Sequence, residues 1–359
     1  MLELKENMRF FIISAMAAGI IMLLISTAGC YLMQQGVTLL RYQFSAEPVS
    51  RLLADEDTPE KIREFLQETE LIRTFARESL GLEPSKHYTT FVEIDRNYLL
   101  ALVSAADEFS LSPHTWRFPL VGEVPYKGFF KPDQARREVE RLEQRGYDTW
   151  ISGVNAFSSL DILTDPLYSF MVHYSTYRLS DLIIHELVHS TVWVKGHTAF
   201  NEQLAMFVGN KGARQYVLMH YGRDSREYRD IELQEQDQHQ FRQQISILRR
   251  ELEELYSRTD ISEKLMRQLK QELFISFQDR IGTEYEDLFL SDRYRFLADT
   301  QLNNAYIAIQ GVYHSRDDRL ERFYRYAGGL MEMIELLKPL DGTRKDPYEY
   351  MLTMVKSGS

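Results

Sequence analysis

The stretch Leu179-Ser180-Asp181-Leu182-Ile183-Ile184-His185-Glu186-Leu187-Val188-His189-Ser190-Thr191-Val192-Trp193-Val194 reads as one helix that is apolar on most of its faces, which places it in a core. Residues four apart on a helix share a face, so His185 and His189 present two imidazoles to one point about a turn apart. Glu186 stands beside them. Two histidines and a glutamate are costly to bury among Leu182, Ile183, Ile184, Leu187 and Val188 unless they serve a purpose. In an HExxH helix the histidines hold zinc, and the glutamate takes a proton from the attacking water and hands it to the leaving amine. By chance the pattern arises in a chain of this length on the order of once in a hundred. The bland alternative is a pair of core histidines satisfied by their neighbours.

A catalytic zinc takes three protein side chains and keeps a fourth position for water, so a third ligand is needed. After His189 the chain carries a turn signal at Lys195-Gly196 and then Thr198-Ala199-Phe200-Asn201-Glu202-Gln203-Leu204-Ala205, the start of another helix. Folded back antiparallel, that helix would bring Glu202 over the imidazoles. A first-turn glutamate is also favoured by the helix dipole alone. His197 is the rival ligand. The pattern HExxHxxGxxH does not fit, because Gly is absent at position 192 and Lys195 stands where its last histidine would be. Asn201 is read as a residue beside the ligands, a grip on substrate, or a helix cap. Tyr306 and Tyr313 are the candidates for polarising a carbonyl, against a background of 21 tyrosines that mostly pack. Glu123, near Gly122 and Tyr126, is the candidate for binding a substrate amine, with a surface loop charge as its plainer reading.

The formal net charge of -11 argues against a sequence-independent grip on nucleic acid, which needs clustered Lys and Arg. Residues 10–29 are almost unbroken apolar sequence behind Lys5 and Arg9, about as long as a bilayer-spanning helix. They end in Ala28-Gly29-Cys30, which resembles the cleavage box of bacterial lipoprotein signal peptides, with Thr27 in place of the usual Leu. Cys30 is then the lipidation site, and residues 1–30 are either a lipoprotein signal peptide or an uncleaved membrane anchor. Either places the rest of the chain in the cell envelope, extracytoplasmic, although Glu3 and Glu6 offset Lys5 and Arg9 and leave the charge bias weak. No cysteine follows Cys30, so neither disulfides nor a thiolate zinc site are available to the body.

Helix-period residues such as Leu52, Ile62, Phe65, Leu66 and Ile72 mark the region 31–85 as helical, with a helix start at Thr58-Pro59-Glu60. Alternating and aromatic residues punctuated by Gly and Pro predict short strands over 87–130, a helix runs from Pro132 to Arg145 with Gly146 as its stop, and 147–175 look extended. From about 225 to 282, Phe241, Ile245, Leu248, Leu252 and Leu255 and then Leu265, Leu269 and Leu273 predict two long helices broken at Thr259-Asp260-Ile261-Ser262-Glu263. They read as an antiparallel helical hairpin, a structural arm or a surface for a protein partner. The fold expected is α+β and predominantly α-helical, with a zincin-like active-site helix, a small strand region and the hairpin, all within one domain over 31–359.

Several further segments carry a resemblance. They are Phe118-Pro119-Leu120-Val121-Gly122-Glu123-Val124-Pro125-Tyr126-Lys127-Gly128-Phe129-Phe130, Val154-Asn155-Ala156-Phe157-Ser158-Ser159-Leu160 with Asp165-Pro166-Leu167, Phe200-Asn201-Glu202-Gln203-Leu204-Ala205, and Leu302-Asn303-Asn304-Ala305. With the HExxH they make the chain resemble a family of bacterial putative aminopeptidases that are often predicted lipoproteins. The resemblance runs from near Cys30 almost to the C-terminus. It implies zinc as cofactor, a peptide substrate and aminopeptidase activity, with His185, His189 and Glu202 as metal ligands and Glu186 as general base. Leu160-Asp161-Ile162-Leu163 departs from the family's Leu-Gly-Trp-Phe type run. Two other functions fit the same residues: a lipid-anchored scaffold with a structural zinc, and a zinc amidase acting on cell-wall peptides.

Overall fold

The structure, a computed structural model, describes residues 27–83, 86–118, 122–154, 164–312 and 318–357. The chain is α+β and predominantly helical. The described residues open with α1 (Thr27–Ser45), a two-residue β1 (Glu47–Pro48), α2 (Val49–Ala54) and α3 (Glu60–Leu80). Helix α3 starts behind Pro59, as Thr58-Pro59-Glu60 predicts, and ends at Gly81, whose φ of 67° is readily available only without a Cβ. The strand region holds β2 (Thr90–Val92), β3 (Leu100–Asp107), β4 (Trp116–Phe118), β5 (Gly122–Val124), β6 (Lys127–Phe129), then α4 (Pro132–Glu143), β7 (Tyr147–Val154) and β8 (Leu167–Tyr168). The stretch expected to be extended up to residue 175 instead closes in a 3₁₀ turn at Ser169–His173.

The helix bearing the histidines, α5, spans Thr176–Thr191, three residues earlier than periodicity suggests. Its start is set by Ser175, whose hydroxyl oxygen accepts the Arg178 N–H at 3.3 Å, and it ends because Val192 turns extended. There follow α6 (Thr198–Tyr221), α7 (Arg226–Tyr256) and α8 (Glu263–Thr283). Ser225 and Ser262 cap the hairpin helices by the same serine chemistry. The rest is short: α9 (Tyr285–Leu288), α10 (Phe296–Asp299), α11 (Asn304–Val312), α12 (Asp318–Ala327), α13 (Leu330–Leu337) and α14 (Pro347–Ser357).

Three small sheets result, ordered β1-β2-β8, β6-β3-β7 and β4-β5. The long pair is β3 with β7, antiparallel from Leu100↔Val154 to Asp107↔Tyr147. Alternate residues of a strand face opposite ways, so Ala101, Val103 and Ala105 pack on Ala135 and Leu142 of α4, while Ala106 packs on Ala305 and Ala308 of α11.

Two larger apolar cores flank this layer. One gathers α3, α5, α6 and the C-terminal helices, with Leu66, Ile72, Ile184, Val188, Leu204, Val208, Ile334 and Leu337 fully buried. The other lies along the hairpin, where Phe241, Ile245, Leu248 and Leu252 meet Phe274, Phe277 and Ile281. The hairpin is tied to the sheet by a buried polar knot. Lys270 Nζ donates to the Asp148 carboxylate at 2.6 Å and the Glu108 carbonyl at 2.8 Å. Asn304, fully buried, donates its backbone N–H to Asp148 at 3.0 Å and its amide to the carbonyls of Asp107 and Glu108, while Tyr256 donates its hydroxyl to Asn304 Oδ1 at 2.7 Å. Such a network ties the elements it joins into one arrangement. The Asn303-Asn304-Ala305 motif therefore serves the fold. Among the described residues no helix is long and apolar enough to cross a membrane.

Candidate metal centre

Helices α5 and α6 lie side by side, and two glycines of α6 permit the approach. A Cβ at Gly209 would lie 2.8 Å from Asp181 Oδ1 and 3.0 Å from the Asp181 carbonyl oxygen, and one at Gly212 would lie 3.2 Å from Ile184 Cδ1. Residue 209 beside residue 181 sets an antiparallel register that carries Glu202, two turns earlier on α6, to the His185–His189 end of α5. Gly209→Ala is expected to force the pair apart. Alanine gains about 1 kcal/mol in a helix interior over glycine, but overpacking against a backbone oxygen costs about 1–3 kcal/mol, so a net loss of stability should appear in chemical denaturation. Unchanged stability would show that the two helices have slack.

The three side chains converge. His185 Nε2 and His189 Nε2 are 3.2 Å apart, Glu202 Oε1 is 3.4 Å from His189 Nε2, and Glu202 Oε2 is 3.7 Å from His185 Nε2. Ligands at about 2.1 Å from a tetrahedral zinc lie about 3.4 Å from one another. The observed separations bracket that value, and the N₂O donor set is one zinc accepts. Among the described residues this is the one group of three His, Cys, Asp or Glu side chains whose ligand atoms gather within 4.8 Å. His189 is buried at 6% exposure, whereas the Glu202 side chain is 51% exposed, so the group has a dry floor and a side open to solvent.

The surrounding charge suits a cation. Burial by itself would depress the His185 imidazolium, but the Glu202 carboxylate beside it and the charges of Glu186 and Asp181 hold it above the usual histidine value. Burial would also raise Glu202, yet the two imidazoles beside it keep it below the ordinary carboxylate value. Glu186 is buried and its carboxyl is pushed up to about 7 by desolvation; His185 pulls it down, while the charges of Asp165 and Glu202 push it further up. Asp181, one turn before His185, is raised to about 6 by burial.

Distant segments wall the centre. The Trp193 ring meets His189 edge-on at 5.4 Å. The connection bearing it is held from two sides: Trp193 N–H donates to Asp341 Oδ1, Lys195 N–H donates to the Thr343 carbonyl, and Asn201 clamps Val194. The 87–88 turn lies within the electrostatic reach of Glu186. Tyr88 is fully buried with φ at 60°, a left-handed backbone that costs a non-glycine residue about 1–2 kcal/mol. Its N–H donates to the Asp165 carbonyl at 2.7 Å, the Asp165 N–H donates to His87 Nδ1 at 3.0 Å, and the Asp165 carboxylate lies 3.1 Å from the same nitrogen. Burial and then the charge of Glu186 lift the Tyr88 phenol well above its usual value. Tyr126, just before β6, is raised by burial and then by the charge of Glu202.

Of the residues singled out from sequence, His185, His189 and Glu202 come together and Glu186 lies beside them. His197 does not join them; it sits at the N-cap of α6. Asn201 is not placed to grip substrate, because its Oδ1 and Nδ2 are both committed to the Val194 backbone at 3.0 Å and it is buried. Glu123 faces solvent and Arg117, 3.6 Å away on the neighbouring strand; it is Tyr126 from the same segment that falls within the field of Glu202. Tyr306 is packed in the hairpin core, its ring against Trp150 at 4.8 Å and Phe296 at 6.4 Å, so its contacts are those of a core residue. Tyr313 and the run Leu160–Leu163 lie outside the described residues, as does the Cys30 side chain. His87, Tyr88, Asp165 and Tyr126 were not singled out. Tyr88 and Tyr126 stand in strand-like text, and nothing local marks a tyrosine for a left-handed turn.

Comparison with known proteins gives a match between residues 30–346 and the family model described as Putative aminopeptidase. Among curated proteins, the glutathione biosynthesis bifunctional protein GshAB of Clostridium perfringens is 30% identical over 116 residues, which is 30% of this chain and 15% of that protein. The matched segment thus spans only a small part of GshAB. No solved structure matches.

Proposed function

We infer, because this chain belongs to the Putative aminopeptidase family, that it is a zinc-dependent peptidase that removes residues from the amino-terminus of peptides. Family membership supports a peptidase-like function. The observation that carries the metal chemistry is the triangle of His185, His189 and Glu202, with edges of 3.2, 3.4 and 3.7 Å, beside the buried Glu186.

His185, His189 and Glu202 would hold the ion. When bound, zinc supplies a Lewis acid that polarises the scissile carbonyl and makes water more acidic. Glu186 takes the proton of the attacking water and passes it to the leaving amine. Its burial favours both halves of that task, since a carboxyl brought near neutrality accepts and releases a proton with little penalty. Trp193 and the Asn201 clamp keep the rim of the centre in place, and the half-exposed Glu202 leaves an approach for substrate, which a closed structural zinc site would lack.

The same reading tethers the domain to the cell envelope at its amino-terminal end, either by a lipid on Cys30 after cleavage of the preceding residues or by residues 10–29 as an uncleaved anchor, and puts it on the extracytoplasmic side. Metal analysis of the full chain, paired with a peptide-library digest read by mass spectrometry, tests the function. Stoichiometric zinc and ladders of losses from amino-termini are expected. Internal cuts would replace the aminopeptidase assignment by endopeptidase, and zinc without turnover on any peptide would replace it by a structural site.

A further inference from the structure

We propose that the outward face of α1 lies on the membrane surface, with Val37, Leu40 and Phe44 seated among lipid acyl chains and Arg41 at the headgroups.

The two sides of α1 differ sharply. At about 100° per residue, Tyr31, Gln35, Leu39 and Tyr42 fall on one side of the helix, and that side is sewn to the body. The Tyr31 hydroxyl donates to the Gly128 carbonyl, Gln35 Oε1 accepts the Phe130 N–H at 2.9 Å, and Arg96 donates to the Tyr42 hydroxyl at 2.6 Å. Leu39, Tyr42 and Ala46 pack on the main core. Val37, Leu40 and Phe44 fall on the opposite side, within a sector of about 60°. Their exposures are 62%, 47% and 88%.

Single exposed apolar residues need no explanation, but three in one stripe, on a helix whose other side is fixed, call for a cover. The chain itself says which. Residues 10–29, the last three of which belong to α1, are the apolar run that reads as a signal peptide or membrane anchor, and Cys30, the lipidation site in that reading, lies inside α1. A rise of about 1.5 Å per residue puts Phe44 about 20 Å along the helix from Cys30. Lipid held at the start of α1 can therefore cover the whole stripe only if the helix lies along the bilayer rather than standing on it. Arg41, exposed between Leu40 and Phe44, then extends to the headgroups as cations do on interfacial helices. The inference rests on the anchored reading for the nearness of lipid. It adds that the helix is a second contact, one that fixes how the domain is turned toward the bilayer.

The test uses the full chain in vesicles of phosphatidylethanolamine and phosphatidylglycerol. The photo-crosslinker p-benzoylphenylalanine is placed at Phe44 in one sample and at the exposed Glu254 of α7 in another. Flotation reports anchoring, and mass spectrometry of the adducts reports the contact. Position 44 should give lipid adducts in about tenfold excess over position 254. A chain that floats but shows no such excess, or crosslinks through position 44 to a second chain or another protein, overturns the inference and leaves anchoring intact. A chain that does not float overturns both.

Discussion

Replacing Glu186 by Gln should leave zinc in place and lower peptide hydrolysis by about 10²–10⁴-fold, the range by which a positioned general base accelerates proton transfer. Gln keeps the size and hydrogen-bonding shape of the side chain but cannot take a proton. Because Glu186 is buried within reach of the charges of Asp165 and Glu202, the neutral amide also relieves repulsion, so the variant should fold at least as well as the parent. The measurement is kcat on an amino-terminal peptide with zinc content determined on the same sample. Turnover equal to the parent's would remove Glu186 from the chemistry. Loss of zinc would instead mean that its carboxylate belongs to the ligand set.

The second large effect is expected at Glu202. Glu202→Ala takes away one corner of the triangle and the carboxylate that draws positive charge to His185 and His189. Zinc affinity should fall well beyond the 10–100-fold typical of losing an outer hydrogen-bond partner, and activity should fall with it. The side chain is half-exposed, so its removal leaves no large cavity and the thermal unfolding midpoint of the metal-free chain should barely move. Competition with a chromogenic chelator measures the affinity. Retention of zinc at parent affinity would exclude Glu202 as a ligand, whatever its position in the structure.

Part of this site is legible in the chain because it is local. His185 and His189 share a face by backbone geometry alone, and the short Val192–His197 connection favours an antiparallel return of α6, so Glu202 is suggested by a turn signal and a helix start. The hairpin break, where the Ser262 hydroxyl caps α8, is equally local. Residue type leaves the alternatives for Asn201, Glu123 and Tyr306 open, because what each does depends on the partners that packing supplies: the Val194 backbone, Arg117, and the aromatic rings of Trp150 and Phe296. The Asn303-Asn304 pair reads equally well as a site or as a strut until Lys270 and Asp148 are found against it.

The imidazole pair, the base beside it and the helical character of the chain follow from periodicity, since repeats of two and 3.6 residues are properties of the backbone itself. The closeness of α6 to α5 depends on Gly209 meeting Asp181 without a Cβ, and the wall of His87, Tyr88 and Asp165 joins segments 78 residues apart. Those encounters arise only when the whole core closes, because a left-handed tyrosine and buried carboxylates are held by the burial of everything around them rather than by any preference of their own.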